Sequence, residues 1–252
     1  MAATGISEIN LPVGFGIPLK EILSGMEEPW RGLSLLGMVL NNHDPEMNRK
    51  VKIRFSIDYI SDSDPAASEI SSMYKASVPV IPGGEVSGGG FERTAAVVLT
   101  GDPLQPSGES LETAHGKEGH WMVLPGRQVI RQRYRHLIGV PTRVHYGLVH
   151  MHNHGRSMRL TDVTEGKVLW ETELIYEPDR VQIAENPPYS STEGFLMVPD
   201  HEYEIESVYD NTSSVPVDAM AVMYLYHHPL HDERISYPPP RTAAAAPDAQ
   251  QR

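Results

Sequence analysis

Val144-His145-Tyr146-Gly147-Leu148-Val149-His150-Met151-His152-Asn153-His154-Gly155 is the stretch whose reading decides the fold. From Val144 to Met151 apolar residues alternate along the chain, the period of a β-strand rather than of a helix. Residues two apart on a strand share a face and stand close together. His150 and His152 are therefore expected side by side, offering two nitrogen donors from one sheet face. Imidazole suits zinc, copper, iron and nickel, so the pair alone names no metal. The third ligand decides the chemistry.

Working outward, the same short alternating pattern recurs. It predicts strands over Val51–Tyr59, Ala95–Thr100, Trp121–Leu124, Gln128–Leu137, Ser157–Asp162, Val168–Leu174, Tyr203–Tyr209 and Ala219–Tyr226. Glycine and proline, 21 of each, punctuate them. Helical periodicity is nearly absent; Pro18–Met26 is read as a turn or two of helix. Asp162–Lys167 reads as a hairpin turn, with Gly166 free to take positive φ. Ser61–Gly90 reads as a long excursion over the sheet, and Tyr189–Gly194 as a Ser/Thr-rich loop. The expected fold is all-β, an antiparallel jelly-roll β-sandwich. It is expected as one domain over residues 1–237, with a low-complexity, disordered C-terminal tail over 238–252. A boundary within Gly101–Gly119 is the alternative.

Composition excludes several classes. With 33 acidic against 21 basic residues the net charge is −12, which argues against nucleic acid as a partner. The locally basic Arg127–Arg135 reads as a strand with a solvated face. There is no cysteine, hence no disulfide, thiolate metal site or thiol nucleophile. No apolar run is long enough for a membrane span. The N-terminus lacks a basic region followed by an apolar one, which predicts no signal peptide. No Gly-x-Ser-x-Gly occurs, and Pro82–Gly90 lacks the Gly-Lys-Ser/Thr ending of a phosphate loop.

A second apolar strand, running from Val217 through Met220 and Met223 to Tyr226 and ending at His227-His228-Pro229, holds two methionines. One position is even and the other odd, so only one of them can share a face with the histidine pair. His154 is the alternative third ligand, since Gly155 allows the chain to turn it inward. Three imidazoles would bring zinc into competition. A thioether is soft and stabilises Cu(I), while imidazoles support both copper oxidation states.

Residues 121–229 resemble the methionine-bearing copper domain of the ascorbate-dependent copper type II monooxygenases, the peptidylglycine α-hydroxylating and dopamine β-monooxygenase family. The residues that carry the resemblance are Pro125-Gly126 leading into a long strand, His150-Met151-His152 with Gly155, and Asp218-Ala219-Met220 running into an aromatic-rich strand. The resemblance implies one copper ion on His150, His152 and Met220, with Met223 elsewhere. It implies oxygen activation by a monooxygenase-like oxidoreductase acting on a small-molecule substrate. The full enzymes carry a second copper on three histidines, two of them adjacent. Residues 1–120 offer only His43, His115 and His120, and no adjacent pair. An external reductant would therefore have to supply the second electron. Glu173, Asp218 and Tyr224 are candidate partners for the non-ligating ring nitrogens. The rival readings are a copper carrier without turnover and a jelly-roll interaction module with ordinary surface histidines.

Overall fold

The computed structural model describes residues 8–18, 56–80, 120–135, 137–178 and 183–230. Fourteen strands lie among them: β1 (Phe15–Gly16), β2 (Ser71–Ser72), β3 (Tyr74–Pro79), β4 (Trp121–Val123), β5 (Gly126–Arg135), β6 (Thr142–Met151) and β7 (Gly155–Asp162), then β8 (Lys167–Glu173), β9 (Ile175–Tyr176), β10 (Ile183–Glu185), β11 (Tyr189–Met197), β12 (Glu202–Asn211), β13 (Val217–Ala219) and β14 (Ala221–Pro229). A 3₁₀ turn over Pro65–Glu69, capped by Asp64, is the one helical element among the described residues.

The architecture is an all-β sandwich. One sheet has the order β11-β6-β14-β3 and the other β5-β12-β7-β8, both antiparallel. Consecutive strands β5, β6 and β7 alternate between the sheets, as a jelly roll requires. The core lies between them. Val149, Met151, Met223 and Leu225 of the first sheet meet Met158, Leu160, Tyr203 and Ile205 of the second, each 2% exposed or less. Tyr134 Oη on β5 donates to the Pro79 carbonyl on β3, tying one sheet to the other. The outer face of the second sheet carries a ladder of Arg131, Arg133 and Arg159 against Glu204 and Glu206, the solvated face expected of Arg127–Arg135. The hairpin turn forms as expected, with Gly166 at φ 65°. No helix among the described residues is long and apolar enough to cross a membrane.

Three expectations need correction. Tyr189–Gly194 is not a loop: it opens β11, an edge strand whose register shifts between Ser190 and Phe195, and that bulge hides the alternation. The excursion over Ser61–Gly90 contains β3, which pairs with β14 and completes the first sheet. Ser56–Ile60 is not a strand, and Tyr59 stands 79% exposed where the chain heads into the capped 3₁₀ turn. Residues 51–55, Ala95–Thr100, all but the first residue of Pro18–Met26, Gly101–Gly119 and the tail over 238–252 lie outside the described residues.

The first sheet's outer face is covered as well. Tyr146, Leu148, Val222, Tyr224 and Tyr226 form a second apolar cluster with Met73, and Ile9, Leu11, Phe15 and Ile17 pack over it from the N-terminal arm. At the far end of this sheet, His227 is buried and its Nδ1 lies 2.9 Å from Thr142 Oγ1. That hydroxyl donates to the His228 carbonyl, so it accepts from His227. Burial first, and His228 second, push the His227 pKa from 6.5 down to about 4. The unfolded chain therefore takes up this proton before the native one does. Stability is expected to be intact above pH 6.5 and to fall as pH drops towards 4, by about 3 kcal/mol from this group. Urea midpoints against pH, with chelator present, should show the fall, and His227→Gln should flatten it. Identical profiles for the two proteins would reject the assignment.

Candidate metal centre

The centre is built where β14 begins. β13 pairs with β4 in the register Val217↔Val123, Asp218↔Met122 and Ala219↔Trp121. Continued by one residue, that register sets Met220 opposite His120. β14 pairs with β6 in the register Ala221↔Met151 and Val222↔His150. Continued backwards by one residue, it sets Met220 opposite His152. The His152 N–H indeed donates to the Met220 carbonyl at 3.2 Å. Met220 is thus the single residue between two strands, flanked by a histidine on either side. By strand alternation, His120, Asp218, Met220, His150 and His152 all belong to one face.

The side chains bear this out. Asp218 Oδ2 lies 2.9 Å from Nδ1 of His152 and 2.9 Å from Nδ1 of His120, whose Nδ1 is also 3.0 Å from Oδ1. One nitrogen each of His120 and His152 and one Asp218 oxygen lie within 4.8 Å of one another, and His150 is not part of that convergent group. The His150 and His152 rings stand 5.3 Å apart, and the His120 and His152 rings 4.8 Å apart. No hydrogen bond holds the His150 ring among the described residues. Burial, followed by the nearby His152 and His120, pushes its pKa down to about 4. At neutral pH it is an uncharged imidazole with a lone pair to give. His152 is also lowered, by burial first, with Asp218 opposing the shift.

Met220 is held by its backbone. Its carbonyl accepts from the Tyr209 hydroxyl at 2.6 Å as well as from His152 N–H. Tyr209 is fully buried, and its ring meets Trp121 edge-on at 5.7 Å. The loop leading into β13 is stapled by Asn211, 1% exposed, whose Nδ2 donates to the carbonyls of Val123 and Val215 at 3.0 and 2.8 Å. Met220 packs at the margin of the outer apolar cluster, on the sheet face that also carries the imidazoles. Met223 is fully buried in the core between the sheets, on the opposite face.

The other candidates go elsewhere. His154 adopts φ 70°, its carbonyl accepts from Asp210 N–H at 2.9 Å, and it is only 5% exposed. Its Nδ1 is buried without a hydrogen-bond partner, and it is absent from the ring contacts that join His120, His150 and His152. Gly155 is required by close approach: a Cβ there would sit 2.8 Å from Met151 Cβ. Of the three expected partners for the ring nitrogens, Asp218 reaches His152, whereas Glu173 lines a cleft with Arg127 and Arg156 and Tyr224 lies under Lys75. His228 Nδ1 donates to the Ser72 carbonyl. His43 and His115 lie outside the described residues.

Two residues of the centre escaped the sequence reading. In the sequence His120 is one of three scattered histidines in the N-terminal half; its one signal is its position directly before the strand at Trp121, 98 residues from Asp218. Tyr209 reads from the sequence as the end of a strand and the start of a polar turn over Tyr209–Asn211; the structure instead continues β12 through Asn211. The convergent imidazole nitrogens and carboxylate, with His150 and Met220 on the same face, are donors of the kind that a transition-metal ion takes. No protein-family model matches this sequence, and no curated protein matches it either.

Proposed function

We propose that this chain is a mononuclear copper-binding protein whose ion is held by His150, His152 and Met220. The observation that carries the reading is the shared register at Met220. Its carbonyl bonds to His152 N–H, which puts the Met220 side chain on the same sheet face as the two imidazoles, while the competing Met223 is in the core. A soft sulfur beside two neutral nitrogens suits copper in both oxidation states and suits zinc poorly. The carboxylate of Asp218 accepts the His152 Nδ1 proton, which fixes the tautomer and leaves Nε2 for the metal. Copper so held supplies one-electron redox chemistry and, if the family resemblance extends to activity, dioxygen activation with electrons from an external reductant.

Protein loaded with copper and freed of excess should retain one ion per chain, and His150→Ala or His152→Ala should abolish retention. No stoichiometric uptake, or unchanged uptake in both variants, would overturn the reading. Ascorbate-driven oxygen consumption that rises with a small-molecule substrate separates an oxidase-type enzyme from a carrier. A second reading has its own observation: His120, His152 and Asp218 converge as two nitrogens and one oxygen, a donor set that zinc accepts. Zinc retention surpassing copper retention and untouched by Met220→Leu would favour it.

A further inference from the structure

We propose that His120 is a third imidazole ligand of this centre and that Asp218 is a shared clamp, not a ligand, orienting His120 and His152 together. The inference rests on the metal-site reading above and deepens it. A carboxylate can only accept, so with one Asp218 oxygen 2.9 Å from Nδ1 of both rings, both Nδ1 atoms carry protons. A neutral imidazole protonated at Nδ1 keeps its lone pair on Nε2. One side chain therefore sets two rings in the same metal-ready tautomer.

The ring spacing agrees. With metal–nitrogen bonds of about 2.0–2.1 Å, each ring centre sits about 3.2 Å from the ion, and two rings at a tetrahedral angle stand about 5.2 Å apart. The observed spacings are 4.8 Å for His120 with His152 and 5.3 Å for His150 with His152. The register sets Met220 between His120 and His152, so its side chain leaves the backbone with a histidine on either side. The four donors are then His120, His150, His152 and Met220. A ligating imidazole and a thioether bring no charge, and the Asp218 carboxylate balances the single charge of Cu(I). Four protein donors fill a tetrahedral shell, which is the arrangement of a site that holds its ion rather than one that keeps a position open.

The test uses the full ¹⁵N-labelled chain and two-bond ¹H–¹⁵N spectra of the histidine rings, recorded without metal, with one equivalent of Cu(I), and separately with Zn(II). The expected result is that Cu(I) moves the Nε2 signals of His120 and His152 and one ring nitrogen of His150, while both Nδ1 atoms of the clamped pair stay protonated. In parallel, Asp218→Asn should weaken Cu(I) binding by about 10–100-fold, the usual effect of losing an orienting partner, and His120→Gln by more than that. If His150 and His152 respond while His120 stays still, His120 is no ligand and the copper reading survives. If Nδ1 of His120 and His152 are the atoms that shift, Asp218 is a ligand and the clamp is refuted. If the rings respond to Zn(II) but not to Cu(I), copper fails and His120 stands as a ligand. If no ring responds to either metal, both proposals fall.

Discussion

Met220→Leu is expected to weaken Cu(I) binding on the order of a hundredfold, about 2.8 kcal/mol, while changing Cu(II) binding only a few-fold. The asymmetry follows from softness: the thioether favours Cu(I), and Cu(II) is satisfied by the imidazoles. Leucine nearly conserves the volume, so packing against the outer apolar cluster is kept and stability should change by less than about 1.5 kcal/mol. Competition with a chromogenic Cu(I) chelator, alongside Cu(II) titration followed by paramagnetic resonance, reads both arms. Equal losses in the two oxidation states would remove Met220 from the ligand set.

The second large effect belongs to Tyr209, which bonds the Met220 carbonyl through its hydroxyl. Tyr209→Ala removes a fully buried ring that packs on Trp121, at an expected cost of about 3–5 kcal/mol in urea unfolding. Tyr209→Phe keeps the ring and removes one of two donors to a carbonyl that His152 N–H still satisfies, so its cost should be nearer 1 kcal/mol. Because the hydroxyl fixes the backbone of Met220, Tyr209→Phe should also reduce the preference for Cu(I) over Cu(II). A Phe variant with wild-type selectivity would show that the register alone positions the thioether.

Much of the sandwich was legible because most strands of its two main sheets obey a period of two over buried surface. β6, β7, β8 and β12 lie where the alternation of Val144–Met151, Ser157–Asp162, Val168–Leu174 and Tyr203–Tyr209 sets them. Of the eight strands in the two four-stranded sheets, the two that escaped, β3 and β11, are the two edges of the same sheet. An edge strand needs less apolar surface, and β11 adds a bulge around Gly194, which takes φ 65°. The reverse error at Ser56–Ile60 shows the same limit, since alternation does not itself provide a partner strand. In the centre, the pair His150 and His152 could be read from their spacing, and the choice of Met220 over Met223 from the family resemblance, with which strand parity agrees. His120 could not be read in this way. It enters through a three-residue pairing of β4 with β13, whose partners are separated by almost a hundred residues, and no local period encodes such a contact.

The seam at Met220 has a consequence for how the protein holds together. The donors proposed for it come from three stretches of chain, at 120, at 150–152 and at 218–220, and two independent antiparallel registers must both be correct before they meet. The unfolded chain has no such centre. An ion bound there is therefore a cross-link that exists only in the native state, and at a hundred times its Kd it would add about 2.7 kcal/mol to the stability of a chain that has no cysteine to staple itself.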